Sequence, residues 1–298
     1  MGLFKEPLSK RAVAMKTIRL HYPRKTLPVS VTGKWCAHNC SHCGRRYLDS
    51  MKPMAEVGRP GGIPADTESL LISGGCNESG AVPMAESLEF LKQMKASGYR
   101  LNVHTGLLPE ELWKPTAELA DVISFDFITD PHTIREVYNH RGSGRDYVEI
   151  YRGLSALAPV IPHITIGILG GIIRGEAEAL KTLSSLGCPG LVFIVFIPTM
   201  GTRYEDCNPP ELEEVNKLFC HARDLMPETP FILGCMRPRG SYGKKLEKIA
   251  LAHDFGGFVN PSRELADYLK SNGYNIITEE ECCSFDTAIS RDRQSPGF

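Results

Sequence analysis

Val29-Ser30-Val31-Thr32-Gly33-Lys34-Trp35-Cys36-Ala37-His38-Asn39-Cys40-Ser41-His42-Cys43 runs from an apolar, β-rich stretch straight into three closely spaced thiols. The C-x3-C-x2-C spacing places three corners of an iron–sulfur cube on one short loop. Four-iron four-sulfur clusters are normally held by four Cys thiolates. A cube with three protein thiolates keeps one iron open to a chelating ligand. The competing reading is a structural zinc site with His38 or His42 as the fourth ligand. Zinc sites usually set C-x2-C against a second, distant ligand pair. No second C-x2-C follows here. The spacing favours the cluster.

Outward from this loop, apolar runs alternate with amphipathic segments. The runs Val29–Thr32, Ser69–Ser73, Arg100–His104, Val122–Phe127, His163–Leu169, Leu191–Ile197, Pro230–Gly234 and Tyr274–Thr278 read as strands. Helical periodicity covers Met84–Ser97, Pro109–Ala120, Tyr147–Ala158, Glu176–Leu186, Pro210–Met226, Lys244–Ala252 and Ser262–Asn272. Gly98 and Gly273 mark helix ends, Pro109 and Pro210 helix starts. Continuous apolar strands such as Leu191–Ile197 fit a parallel sheet buried on both faces. The alternation predicts an α/β fold: a TIM-type (β/α)8 barrel, or a partial (β/α)6 barrel with a C-terminal extension. Residues 1–285 read as one domain and 286–298 as a loosely ordered tail. The basic segment from Lys5 to Arg24 reads as part of that domain rather than an organellar presequence.

Composition narrows the function classes. A formal charge of −1 and a pI near 6.8 leave no electrostatic footprint for nucleic acid or an anionic membrane. No apolar stretch approaches the ~20 residues that span a bilayer. Ten cysteines without an apolar signal core point to a reducing cytoplasm, and to metal rather than disulfides.

Barrel enzymes build their sites from loops at the C-terminal ends of the strands. Those ends carry Cys36, Cys40 and Cys43, then Gly74-Gly75-Cys76, His104, Asp126, Gly170-Gly171, Pro198, Cys235 and Cys282-Cys283. Cys188 precedes its strand, at the opposite face. Cys207 and Cys220 read as plain thiols in a loop and a helix.

With these residues in place, the three-thiol loop resembles the signature of the radical S-adenosylmethionine (SAM) superfamily. There the open iron takes the amino and carboxylate groups of SAM, and His42 stands where an aromatic residue reaches the adenine. Ser73-Gly74-Gly75 resembles the family's Gly-Gly-Glu turn, with Cys76 in the glutamate position. The resemblance gives the carbonyls of Ser73 and Gly74 to the SAM ammonium; read alone, the turn is a Gly-rich strand–helix connection. Ser124 and Asp126 resemble an Asn-x-Asp on the fourth strand of biotin synthase, with Asp126 on the ribose hydroxyls. Asp146 and Arg152 resemble the following helix, whose arginine pairs with the methionine carboxylate; otherwise Arg152 is a surface charge. Gly167–Gly171, including Gly170, resembles the motif that shapes the adenine slot, and Pro198 with Gly201-Thr202 a Pro-x-x-Gly-Thr turn.

Cys76, Cys235, Cys282 and Cys283 have no part in SAM binding, yet their loops converge on the same rim. They read as ligands of a second, auxiliary 4Fe-4S cluster, with one of Cys282 and Cys283 a spectator and Ser284 or an exogenous ligand in its place. The alternative is scattered thiols. An auxiliary cluster opposite a radical site commonly means sulfur insertion. Nearly the whole chain is similar to the biotin-synthase-like radical SAM group of archaea and anaerobes. Ser30–Gly33, Leu71–Cys76, Cys235–Gly240 and Glu281–Cys283 carry that likeness. The group includes the two-protein lipoyl synthase. The resemblance thus implies a sulfurtransferase acting on an octanoylated lipoyl-carrier protein or peptide. It further implies a paralogous radical SAM partner and an electron donor such as ferredoxin or flavodoxin. Rival readings are a radical SAM enzyme of another outcome, whose second cluster carries electrons, and a non-enzymatic zinc- or iron–sulfur-binding scaffold.

Overall fold

The computed structural model describes residues 16–286. Of the tail expected over 286–298 only Asp286 is described, and it is buried; 287–298 and the first part of the basic segment lie outside the described residues. Eleven strands form one sheet: β1 (Thr17–His21), β2 (Thr26–Ser30), β3 (Lys52–Pro53), β4 (Ser69–Ser73), β5 (Arg100–His104), β6 (Val122–Asp126), β7 (Val160–Ile166), β8 (Leu191–Val195), β9 (Phe231–Leu233), β10 (Gly257–Val259) and β11 (Asn275–Glu279). Their order is β11-β1-β10-β9-β8-β7-β6-β5-β4-β2-β3, and every pairing is parallel.

A short link forces the sheet to curl. β1 lies near one end of the sheet and β2 near the other, yet only Tyr22–Lys25 separate them. Four residues span at most about 14 Å, so the two ends must come together. Residues after β11 lie over this seam. The Tyr22 amide donates to the Glu279 carbonyl (2.8 Å), Lys25 to Glu280 (2.9 Å), and Cys282 to the Thr26 hydroxyl (2.8 Å). The expectation of a curled α/β barrel holds.

The main core lies between the sheet and the outer helices, where Phe193, Phe219, Phe231 and Phe255 meet at ring separations of 4.6–5.5 Å. A second core lies inside the barrel. Val122, Ile161, Val192, Ile232 and Val259, one from each of five strands, close around Cys283 and Phe285. Arg19 and His21 on β1 each reach the Asp286 carboxylate at 3.2 Å. Residues 281–286 therefore form a floor at the end of the barrel where the strands begin. Arg100, first residue of β5, confirms that level by pairing with Glu281 and stacking over Phe285 at 4.5 Å.

Three strands escape the sequence reading. β1 alternates Ile18 and Leu20, facing the helices, with Arg19 and His21, facing the floor. That polar inner face made it read as a basic segment. β3 and β10 have two and three residues, too short to carry a period. β7 begins at Val160, three residues before its expected start.

Phe285→Ala should destabilise the protein by about 3 kcal/mol, the loss for an aromatic side chain from a packed core. Denaturant unfolding measures this, with Leu157→Ala, at an exposed position, as a control expected within about 0.5 kcal/mol of wild type. Equal stability of the two variants would contradict the floor.

Candidate active site

The three-thiol loop follows β2 and is fixed on two sides. On one side lies Gly74-Gly75. A Cβ on Gly75 would stand 2.0 Å from the Trp35 carbonyl oxygen and 2.5 Å from the Cys36 Cβ, so no side chain fits there. Thr32 completes this contact, its hydroxyl accepting from the Gly75 amide at 2.7 Å, and the Ala37 amide donates to the Cys76 carbonyl at 2.8 Å. On the other side lies the segment around Ile134–Tyr138. Ser41 donates through its amide to the Val137 carbonyl and through its hydroxyl to that of Glu136, and Asn139 donates to the Asn39 carbonyl. The turn after β8 closes a third contact, since a Cβ on Gly201 would meet the Arg46 guanidinium at 2.4 Å.

The Cys40 thiol donates to the Tyr138 carbonyl at 3.7 Å and lies beside the Cys43 thiol. The contact between the two thiols holds Cys43 down at about 7 and pushes Cys40 up. Burial pushes Cys76 up to about 12, with Cys36, Asp126 and Cys43 as its charged neighbours. His38 and His42, the imidazoles a zinc site would need, pack on other rings instead. His38 lies 5.7 Å from His140; His42 lies 5.4 Å from Tyr138 and 6.1 Å from Tyr47. Burial lowers His42 to about 4. Among the described residues, no three His, Cys, Asp or Glu side chains surround a single ion position. The donor set, three thiols without an imidazole, suits a cluster held by thiolates.

Inside the barrel, above the floor, Asp126 at the end of β6 meets two histidines. His104 Nε2 stands 3.5 Å from its carboxylate, and His163 is its register partner on β7. Burial alone would raise the Asp126 carboxyl. His104 first, then His163 and His42, outweigh it and hold the group at about 2. Burial opposes charge on His104 too, but Asp126 wins and raises it. His163 stays neutral, lowered by burial to about 4. Its Nδ1 lies 3.1 Å from the Ile161 carbonyl, which can only accept, so Nδ1 carries the hydrogen and Nε2 a lone pair.

The remaining expected residues separate. Ser124 is buried one layer below Asp126, bonded to Asn102 and to Ser284, each at 2.9 Å. The Ser73 carbonyl accepts from the Val31 amide at 2.8 Å, extending the β2–β4 pairing. Gly170 and Gly171 form a left-handed turn against residues 204–210, where a Cβ on Gly171 would lie 2.1 Å from the Asn208 carbonyl oxygen. Pro198 enters the turn that reaches Arg46. Arg152 does not join the site. Its helix, Gly144–Ser155, starts three residues earlier than expected because Ser143 and Asp146 form a capping box, and Arg152 is exposed on it. The neighbouring Tyr151 donates to the Gly187 carbonyl, ahead of β8 and so at the opposite end of the barrel.

The second set of thiols divides. Cys76 sits with the first group. Cys282 accepts a hydrogen bond from Asn102 at 3.3 Å. The bond from Cys283 leads, with others from Ser284 and Asn102, in holding Cys282 at about 6 against burial; the same bond, then burial, push Cys283 up. Cys235 is exposed and has Cys282 as a charged neighbour. The adjoining Arg237 is fully buried against Glu247 at 2.8 Å and donates to the Val259 carbonyl at 2.7 Å, anchoring this loop between β9 and β10. Asn102 and His163 were missed in sequence. Strand parity could have found them, since each shares the inward face of a strand that already carried a candidate or lies beside one.

No family model and no curated protein matches the sequence. Solved structures do. The FeFe-hydrogenase maturase HydG of Carboxydothermus hydrogenoformans superposes with a TM-score of 0.64 at 15% identity, over 93% of this chain and 70% of that one. Methylornithine synthase superposes with a TM-score of 0.62 at 14% identity, over 88% and 84%. The fold is the curled, all-parallel α/β barrel that these two structures share. At these identities the likeness concerns the fold, and the thiol loop after β2 must carry the functional argument. Among the described residues no helix is long and apolar enough to cross a membrane.

The His104–Asp126 pair makes a pH-dependent contribution to stability. His104 is raised above its unfolded value of 6.5, so its contribution is complete below 6.5 and disappears as pH rises through the raised value. Asp126 is depressed, so its contribution persists above its unfolded value near 3.8 and fades only as pH falls towards about 2. His104→Gln should therefore cost most between pH 4 and 6.5 and progressively less above. Thermal midpoints of both proteins from pH 4 to 9 measure this; a deficit that grows with pH would refute the pairing.

Proposed function

We propose that this protein is a radical SAM enzyme, with Cys36, Cys40 and Cys43 holding the cluster that binds and cleaves S-adenosylmethionine. One observation carries the reading: a loop of three thiols and no imidazole ligand, pressed against a glycine turn at the mouth of a barrel of this class. When bound, the cluster delivers the electron that splits SAM into methionine and a 5′-deoxyadenosyl radical. The chain's own residues fix where this happens. Thr32 and Gly75 hold the loop against β4. The His42 ring, neutral through burial, offers an apolar face for the adenine. Asp126, kept ionised by His104, presents a carboxylate to the ribose hydroxyls. The floor of residues 281–286 closes the chamber from below.

For the outcome of the radical we propose sulfur insertion at an unactivated carbon, on a protein-bound octanoyl chain. Supporting this are Cys235 and the Cys282-Cys283 pair, which form a second thiol group apart from the first. With a second cluster bound there, its sulfide is the sulfur source. The second reading, an auxiliary cluster that transfers electrons, uses the same thiols and differs in product.

Cys36→Ala, Cys40→Ala and Cys43→Ala should each abolish formation of 5′-deoxyadenosine from SAM under reduction, measured by chromatography. Wild-type protein reconstituted anaerobically should carry about eight irons per chain, and Cys235→Ala about four. Cys235→Ala should still cleave SAM yet yield no thiolated octanoyl peptide by mass spectrometry. Full iron content and normal thiolation in that variant would overturn sulfur insertion from this site.

A further inference from the structure

Four thiols, not three, gather at the mouth of the barrel. Cys76 follows the glycine turn directly, and its backbone is bonded to the residue after Cys36. The space for a Gly75 side chain is filled by Trp35 and Cys36, so nothing separates the Gly75-Cys76 backbone from the thiol loop. Cys76 has Cys36 and Cys43 among its charged neighbours, and Cys40 has Cys76 among its own.

We propose that Cys76 is a fourth, exchangeable thiolate that closes the open corner of the cube held by Cys36, Cys40 and Cys43 until S-adenosylmethionine displaces it. The inference rests on the radical SAM reading and adds a resting state to it. Thiolate is the ligand that such clusters ordinarily take, so a nearby cysteine competes for the corner the loop leaves free. The exchange involves no change of oxidation state. Cys76 gives up its proton to solvent on binding, and takes one up when the amino and carboxylate groups of SAM replace it. A corner held closed most of the time lowers apparent SAM affinity by the fraction that is open. It also shields the exposed iron from adventitious ligands.

The test compares wild type, Cys76→Ala and Cys76→Ser, each in a Cys235→Ala background so that only the first cluster contributes. Electron paramagnetic resonance of the reduced proteins is recorded without and with SAM, and SAM affinity is measured by equilibrium binding. Without SAM, the Cys76-containing protein should show a spectrum distinct from that of Cys76→Ala. Adding SAM should bring the two to a common spectrum. Cys76→Ala should bind SAM about 3- to 10-fold more tightly, as expected when a competing closed state is removed. Cys76→Ser, which keeps the size of the side chain, should resemble Cys76→Ala in its spectrum and guards against a packing effect. Identical spectra without SAM and equal affinities would overturn the inference while leaving the radical SAM reading intact. Failure of Cys76-containing protein to bind iron at the three-thiol loop would overturn both.

Discussion

The site depends on one close approach, that of Gly75 to Trp35 and Cys36. A single methyl group at position 75 would overlap a carbonyl oxygen and the Cβ of a cysteine of the thiol loop. Because it is absent, the end of β4 can serve as the wall on which the thiol loop rests. The Thr32 hydroxyl and the Cys76 carbonyl then satisfy the polar groups that this contact buries. The remaining walls are supplied by the segment after β6, bonded to the loop through Ser41 and Asn139, and by the turn after β8, where Gly201 lies against the Arg46 guanidinium. A short, irregular loop is thereby held by three β/α units rather than by its own secondary structure.

Charge inside the barrel follows a similar economy of position. Asp126, His104 and His163 lie on adjacent strands and face one space, but their states differ. The carboxylate is ionised because three imidazoles, His104 foremost with His163 and His42, outweigh its burial; His104 is raised by that carboxylate, and His163 remains neutral. Below them Asn102, Ser124 and Ser284 form a neutral hydrogen-bonded layer, and below that Arg19, His21 and Asp286 pair at the floor. Polarity is thus graded along the barrel axis. Ionised groups that face the mouth are separated from those at the floor by a layer of amide and hydroxyls.

The strands that carry this arrangement were mostly legible in the sequence: β4 and β8 have the continuous apolar run that a two-sided parallel strand needs, and β5 and β6 keep apolar residues on the face turned to the helices. The thiol loop was legible for a different reason, its spacing. What could not be read was contact between distant segments. The neighbourhood of Cys76 follows from a backbone bond to Ala37, and no spacing rule reports it. His163 opened the expected strand, far from the rim, whereas in the structure it is the fourth residue of β7 and level with Asp126. Arg152 looked like a carboxylate ligand through the likeness of its segment, 146–152, to a biotin synthase helix; here Asp146 caps that helix and Arg152 is exposed on it. β1 concealed itself by turning Arg19 and His21 inward, where Asp286 awaited them.

The pairing of β1 exclusively with β10 and β11 has a consequence for how the chain is made. During synthesis β1 emerges first among the described strands, and its hydrogen-bonding partners emerge only after the eight strands β2 to β9 have left the ribosome. Until then its backbone donors and acceptors are unmatched and its Ile18 and Leu20 face is uncovered. Pairings this distant in sequence form slowly, and the waiting strand is a site for misassociation. The three-thiol loop, by contrast, needs only β2, β4, the segment after β6 and the turn after β8, all of which are present well before the seam can shut. The segments around the first thiol group are therefore all synthesised while the barrel still lacks its closing strands, so the loop can be approached from the side until the seam shuts.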